Sequence, residues 1–401
     1  MTILGEIARI VDCEHKTAPI DEKGEYFAVG TRAMRGNEIN YQESRRISRE
    51  TFEQWTKRMK PRPGDILFAR EAPVGPVVEV PKEANIAPGQ RTVLIRAESN
   101  VAQRFVAYKL KEPLIQNQIQ ALSAGSTVPH LNVADIRSLD LGYLPDAKQQ
   151  TAIADVLGAL DDKIAANRQV LDIKSKLFSA LWIKVSQGAK DVASLGDLVT
   201  TQYGYTASAG EYTGQPKFLR VMDINKKKWI EWDTVPEVNI GSKDFEKYAL
   251  QKGDIVVARM ADPGKCAIVD ENIKAVFASY LVRLKPKDRN DALYLYGFLI
   301  SKLYENYAES VSTGSVQKNM NAKVITGIEL PWPTKPKRLE FSAQGQVIRD
   351  SMNALVQENQ VLARTRDELL PLLMNGKISV AEASEAVEAV AGKQKEGDVD
   401  V

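Results

Sequence analysis

Residues 145–185, PDAKQQTAIADVLGALDDKIAANRQVLDIKSKLFSALWIKV, constrain this chain more than any other stretch. From Ile153, alternating steps of four and three reach Leu157, Leu160, Ile164, Asn167, Leu171, Lys174, Phe178, Leu181 and Val185. All but Asn167 and Lys174 are apolar. That narrow seam belongs to a coiled coil rather than to the broad face of a globular-core helix. No proline lies between Asp146 and Val185. At 1.5 Å per residue, about 40 residues make a rod of about 60 Å. A rod of that length needs a partner helix.

The chain supplies its own. Leu4-Gly-Glu-Ile7 returns as Leu195-Gly-Asp-Leu198, and Gly64-Asp-Ile-Leu-Phe-Ala-Arg70 as Gly253-Asp-Ile-Val-Val-Ala-Arg259. The loop Leu122-Ser-Ala-Gly-Ser126 returns as Val311-Ser-Thr-Gly-Ser315, and Asn132 as Asn321. The seam returns as Ile348, Met352, Leu355, Asn359, Leu362, Arg366, Leu369 and Leu373, again with one Asn and one basic residue. A repeat fixes architecture before any single element is assigned.

The expected fold is α+β. Two strand-rich domains, 1–145 and 187–335, alternate with long helices over 146–186 and 336–378, and the helices pair as an antiparallel coiled coil about a pseudo-two-fold. Tyr26–Val29, Ile66–Ala69, Val74–Val80 and Thr92–Ile95 read as strands between Pro/Gly turns. Residues 48–59 read as a short helix capped by Ser48. Residues 101–122 read as helix broken at Pro113. Asn375-Gly376 stops the second long helix. Residues 379–401 are expected to be a disordered tail. Two cysteines need no disulfide framework and suit a reducing compartment. No signal peptide or membrane-length apolar run is visible, so the expected location is the cytoplasm.

Enzyme motifs are absent from the sequence. There is no Asn/Asp-Pro-Pro-aromatic tetrapeptide, no Gly-x-Gly-x-x-Gly loop and no Walker loop. Cys13 and His15 lack a second ligand pair for a tetrahedral metal site. Asp146 and Asp161 lie about 22 Å apart along one helix and cannot share an ion.

The order domain, helix, domain, helix, with Gln149-Gln150, Ile153, Leu157, Leu160-Asp161 and Ile164 opening the first helix, resembles the specificity subunit of type I restriction-modification enzymes. The second helix departs from that opening, with Ala343-Gln-Gly-Gln346 in its place. The resemblance implies a non-catalytic subunit that selects double-stranded DNA. Each half would be a target-recognition domain, and the helices would set the spacing. It implies partners: methylase subunits, two of them, and restriction subunits. No cofactor is expected in this chain. S-adenosylmethionine would come with the methylases, and ATP and Mg²⁺ with the restriction subunit. Gln150, Asp161, Asp162 and Lys163 are the expected docking contacts. The rival reading is a two-domain coiled-coil DNA-binding scaffold or regulator.

A net charge of +2 rules out coating nucleic acid through bulk charge, so recognition must be local. Arg, Lys, Asn and Gln read base edges, while basic and hydroxyl side chains hold phosphates. The first domain offers Arg32, Arg35, Asn37, Arg45, Arg46, Arg49 and Arg70. The second offers Arg220, Lys226, Lys228 and Arg259, with Trp229 and Trp232 flanking the lysines as core. The Gly-Ser loops add Gly125, Ser126, Thr127 and His130, then Gly314, Ser315, Gln317, Lys318 and Asn319. Residues 8–60 and 199–249 scarcely match each other. Two copies of one scaffold with unlike faces predict an asymmetric, bipartite target.

Overall fold

The computed structural model describes residues 2–34, 36–124, 128–210, 214–312 and 319–397, the side chains of 390–397 excepted. The chain forms two compact units. One comprises Met1–Asp162 with Leu362–Val401, and the other Lys163–Val361. The division falls within both long helices, Ala147–Gln187 and Lys335–Met374.

In the first unit, a four-stranded antiparallel sheet runs in the order Ala8–Asp12, Thr92–Ala97, Ile66–Arg70, Val74–Glu79. In the second unit the order repeats: Val199–Tyr203, Leu281–Pro286, Ile255–Ala258, Cys266–Ile268. The strand expectations hold with shifts of one or two residues at their ends. Ser48 caps the helix Arg49–Trp55, its side chain accepting from the Thr51 N–H. Pro113 opens a separate helix, Pro113–Ser123, after Gln103–Lys111 ends.

The repeated Gly-Asp-Ile motif has a physical basis. Gly64 and Gly253 sit at φ +83° and +87°, which only glycine adopts without strain. The following carboxylates are buried. Asp65 accepts from the Arg62 N–H (2.7 Å) and from Arg96. Asp254 accepts from the Gln251 N–H (3.0 Å), Arg283 and Arg289. Each carboxylate therefore closes the turn that launches the central strand. Asn132 and Asn321 likewise cap equivalent short helices, Val133–Arg137 and Ala322–Thr326.

The copies part company at their other sheet. Tyr26–Val29 pairs in parallel with Ile86–Pro88, and Lys217–Leu219 with Ala275–Phe277. Arg45–Ile47 adds a third, antiparallel edge strand in the first unit. In the second, a single antiparallel bridge between Lys217 and Glu237 stands at that edge.

The long helices run antiparallel within each unit. In the second, Phe178 meets Phe341 (centroids 5.3 Å apart), and Asn167 meets Asn359. The Asn167 amide donates to Asn359 Oδ1 (2.9 Å) and Glu358 Oε2 (2.7 Å), and Asn167 is 3% exposed. This is the matched polar pair anticipated in the seam. The seam drifts further along: Ser175 and Trp182 are buried where a strict heptad predicts Lys174 and Leu181. A 3.6-residue helix slips past a 3.5-residue pattern in this way. Trp182, Phe178 and Phe341 share one core with Tyr294, Tyr296 and Phe298 of the domain.

Residues 379–401, expected as a disordered tail, instead carry a helix over Val380–Gly397. Ser379 starts it by exchanging hydrogen bonds with Glu382, and Ala383 is fully buried.

Two outcomes follow for stability. Replacing both Asn167 and Asn359 by Leu removes a polar pair of which Asn167 is buried and Asn359 partly so. Thermal unfolding should rise by about 2–4 °C for each kcal/mol gained; a fall would show that the amides stabilise the seam. Arg349 is 2% exposed, ion-paired with Asp270 and bonded to the Lys228 carbonyl (2.9 Å). Arg349→Met strands the Asp270 charge and should cost about 3–5 kcal/mol in denaturant unfolding.

Candidate nucleic-acid interface

The proposed readers fall into three groups. Arg32, Arg45, Arg46 and Arg49 are exposed in the first unit, Arg32 on the turn Thr31–Met34 and Arg45 and Arg46 on the edge strand. Arg46 lies over the Phe27 ring (5.3 Å). In the second unit Lys226 and Lys228 are exposed. The Lys228 carbonyl is anchored by the Tyr296 hydroxyl (3.2 Å), so its backbone is fixed while its ammonium faces solvent. Trp229 and Trp232 are buried, as expected of core residues. These six basic side chains are accessible to a phosphate.

A second group is committed to the fold. Asn37, at φ +60°, accepts from the Val77 N–H through its side chain (2.8 Å) and so pins its loop to a sheet edge. Arg220 makes two bonds to Asp223 (3.0 and 2.9 Å). Arg70 donates to the Leu131 carbonyl (3.2 Å), contacts His15 Nδ1 (3.3 Å) and lies 3.4 Å from Asp12 Oδ1.

Arg259, at the end of Ile255–Ala258, differs. Its guanidinium lies 4.9 Å from the Tyr203 ring centroid. Among the described residues its one side-chain hydrogen bond is a long contact of 3.5 Å to Asn319 Oδ1, and its Nε has no partner. Asn319 is exposed. His130 is also exposed and forms a bridge with Glu71. Arg35, Gly125, Ser126, Thr127, Gly314, Ser315, Gln317 and Lys318 lie outside the described residues. Sequence reasoning missed Asp12, His15 and Tyr203, which set how the two strand-end arginines are held. Lining up Leu4-Gly-Glu-Ile7 with Leu195-Gly-Asp-Leu198 is the signal that could have found Asp12 and Tyr203.

Asp12, Cys13 and His15 present ligand atoms within 4.8 Å of one another. His15 Nε2 is 2.8 Å from Asp12 Oδ2, and the Arg70 guanidinium sits against both residues. A metal cation there would face a fixed positive charge, so the arrangement suits the ion pair better than an ion.

The expected docking residues are engaged within the chain. Gln150 is 4% exposed; it accepts from the Ala102 N–H (3.0 Å) and donates to the Pro145 carbonyl (2.8 Å). Burial pushes the Asp161 carboxyl up. The charge of Arg366 and bonds from Arg366 (2.6 Å) and the Tyr108 hydroxyl (2.7 Å) outweigh it and hold the group below its ordinary value. Asp162 receives a two-pronged contact from Arg104 (3.1 and 2.7 Å). Arg104 also reaches the Gly158 carbonyl (3.3 Å), where any Cβ would collide with its guanidinium. Lys163 pairs with Glu358 (3.3 Å). Among the charged and polar residues that the first long helix exposes runs an apolar strip: Val170, Ile173 and Leu177 are 39%, 63% and 49% exposed, at spacings of three and four.

Comparison with known proteins agrees with this duplicated geometry. The family model described as the type I restriction modification DNA specificity domain matches twice, over residues 3–174 and 189–370. The specificity subunit of the type I restriction enzyme MjaVIII from Methanocaldococcus jannaschii is 22% identical over 306 residues, covering 69% of this chain and 70% of that protein. The StySPI specificity subunit from Salmonella potsdam is 23% identical over 350 residues, covering 75% of each. The solved S subunit of a type I restriction-modification system from M. genitalium has the same fold, with a TM-score of 0.55 at 15% identity over 93% of this chain and 95% of that one. Two matched copies span nearly the whole sequence, and the chain belongs to the type I restriction modification DNA specificity family.

Proposed function

We propose that this DNA-specificity subunit reads an asymmetric, bipartite duplex target, one part through each domain. The observation that carries this reading is the pairing of a shared frame with unlike faces. The four-stranded sheets match strand for strand, whereas at the edge of the other sheet the first domain presents Arg45 and Arg46 and the second places Glu237 at the position of Arg46. Equal frames with unlike side chains read unlike base sequences.

The chain itself carries no chemistry in this reading. It selects the DNA, and methylase subunits, two of them, bring S-adenosylmethionine to it. Restriction subunits with ATP and Mg²⁺ complete the assembly in the cytoplasm. Membership of the family supports these partners. Among the described residues no helix is long and apolar enough to cross a membrane, which is consistent with that location. The exposed Val170, Ile173 and Leu177 supply an apolar strip that suits a docked methylase subunit better than Gln150, whose amide is already bonded. Binding by the chain alone should be sequence-selective and should weaken steeply with salt, because phosphate contacts release counterions.

Exchanging residues 1–145 for the corresponding domain of a relative with another target should change one part of the recognised sequence and leave the other intact. Methylation-site mapping of the assembled complex reads the result. A change in both parts, or in neither, would sink the modular reading.

A further inference from the structure

The geometry points to Arg259 as a guanine-reading side chain of the second domain, one that its counterpart in the first domain cannot match. The inference rests on the DNA-reading function above. Both arginines end the central strand of their sheets, and their backbones are held alike. The Arg70 N–H donates to Arg91 and its carbonyl accepts from Leu131 (2.9 and 2.8 Å). The Arg259 N–H donates to Tyr280 and its carbonyl accepts from Met320 (2.9 and 2.9 Å).

The side chains face different neighbours at one equivalent place. Asp12 ends its strand opposite Val93, and Tyr203 ends the matching strand opposite Val282. In the first domain a carboxylate therefore stands 3.4 Å from the guanidinium Nε, while the Leu131 carbonyl and His15 engage its two terminal nitrogens. The Arg70 side chain is 13% exposed. In the second domain an aromatic ring stands there instead. A ring holds a cation through its face and takes none of its in-plane N–H donors. Tyr203 is itself fixed, since its hydroxyl accepts from the Ala322 N–H (3.0 Å). Arg259 is thus oriented at both ends while, among the described residues, no carboxylate pairs with its donors. Its neighbour Asn319 offers an amide at the same spot.

A planar guanidinium with two free parallel N–H groups fits O6 and N7 of guanine in the major groove. Fixing it beforehand lowers the entropy lost on binding. The same group on a phosphate would add affinity without choosing a base.

The test is selection from a randomised duplex pool by the full chain. It compares wild type with Arg259→Ala, Tyr203→Asp and Arg70→Ala, with unfolding curves confirming that each variant folds. Arg259→Ala should erase a guanine preference of about 5- to 150-fold at one position of one half-site, with the other half-site unchanged. Tyr203→Asp should erase the same preference with Arg259 still present, because it recreates the carboxylate neighbour of the first domain. Arg70→Ala, if folded, should leave base preferences in place. A uniform loss of affinity with a shallower salt dependence in Arg259→Ala would make Arg259 a phosphate contact and overturn the proposal. An unchanged preference in either Arg259→Ala or Tyr203→Asp would do the same. Absence of any sequence preference in the wild type would instead remove the DNA-reading function on which the proposal rests.

Discussion

Each domain must begin and end at one place, and a pair of short antiparallel strands enforces this. Thr2–Ile3 pairs with Asp140–Gly142, just before the first long helix. Asp191–Ser194 pairs with Glu329–Trp332, just before the second. The adjoining bonds match as well: the Leu4 N–H reaches the Leu139 carbonyl (2.9 Å), and the Leu195 N–H the Ile328 carbonyl (3.0 Å). With entry and exit latched together, everything between them can be rebuilt without disturbing the helices. Such a latch is what makes a duplicated domain an insert rather than a continuation of its neighbour.

The two domains hold their helices with different mixes of contacts: the second adds an aromatic core to buried ion pairs such as Arg349 with Asp270. In the second, Trp182 inserts into the domain core and donates its ring N–H to the Tyr294 carbonyl (3.0 Å). Burying large aromatics is a strong, undirected attachment. The first junction carries directed polar contacts: Arg104 on Asp162, Tyr108 on Asp161 and Gln150 on the Ala102 N–H. Burial and the neighbouring Asp161 carboxylate push the Tyr108 hydroxyl up, so it remains a donor across the working pH range. Directed contacts fix geometry more tightly than apolar ones and tolerate substitution less.

Much of the architecture was legible in the sequence because repeats and periodicity are local patterns. The doubled Gly-Asp-Ile motif located both central strands, and the doubled Asn located the polar seam pair. Legibility failed where a residue's fate depended on a distant neighbour. Arg70 looked like a free strand-end cation, yet Asp12 and His15 claim it from across the sheet. Gln150 looked like helix surface, yet it closes the junction with Ala102. The burial of Ser175 and Trp182 required the true helical pitch rather than an ideal heptad. The helix Val380–Gly397 was hidden by an Ala/Glu-rich composition that suits a helix and a solvated tail equally well.

Beside the buried Asp65 and Asp254 carboxylates, the frame is held by bonds between backbone groups. Gly64 to Val80 and Gly253 to Val269 are two of them, and Leu131 to Arg70 and Met320 to Arg259 are two more. Backbone bonds do not depend on side-chain identity. Exposed positions such as Arg45 can therefore change with little penalty to folding, since surface substitutions away from special features usually shift stability by no more than about 0.5 kcal/mol. The scaffold is buffered against the mutations that would alter its target. A lineage carrying it can wander through new specificities while never leaving the folded state.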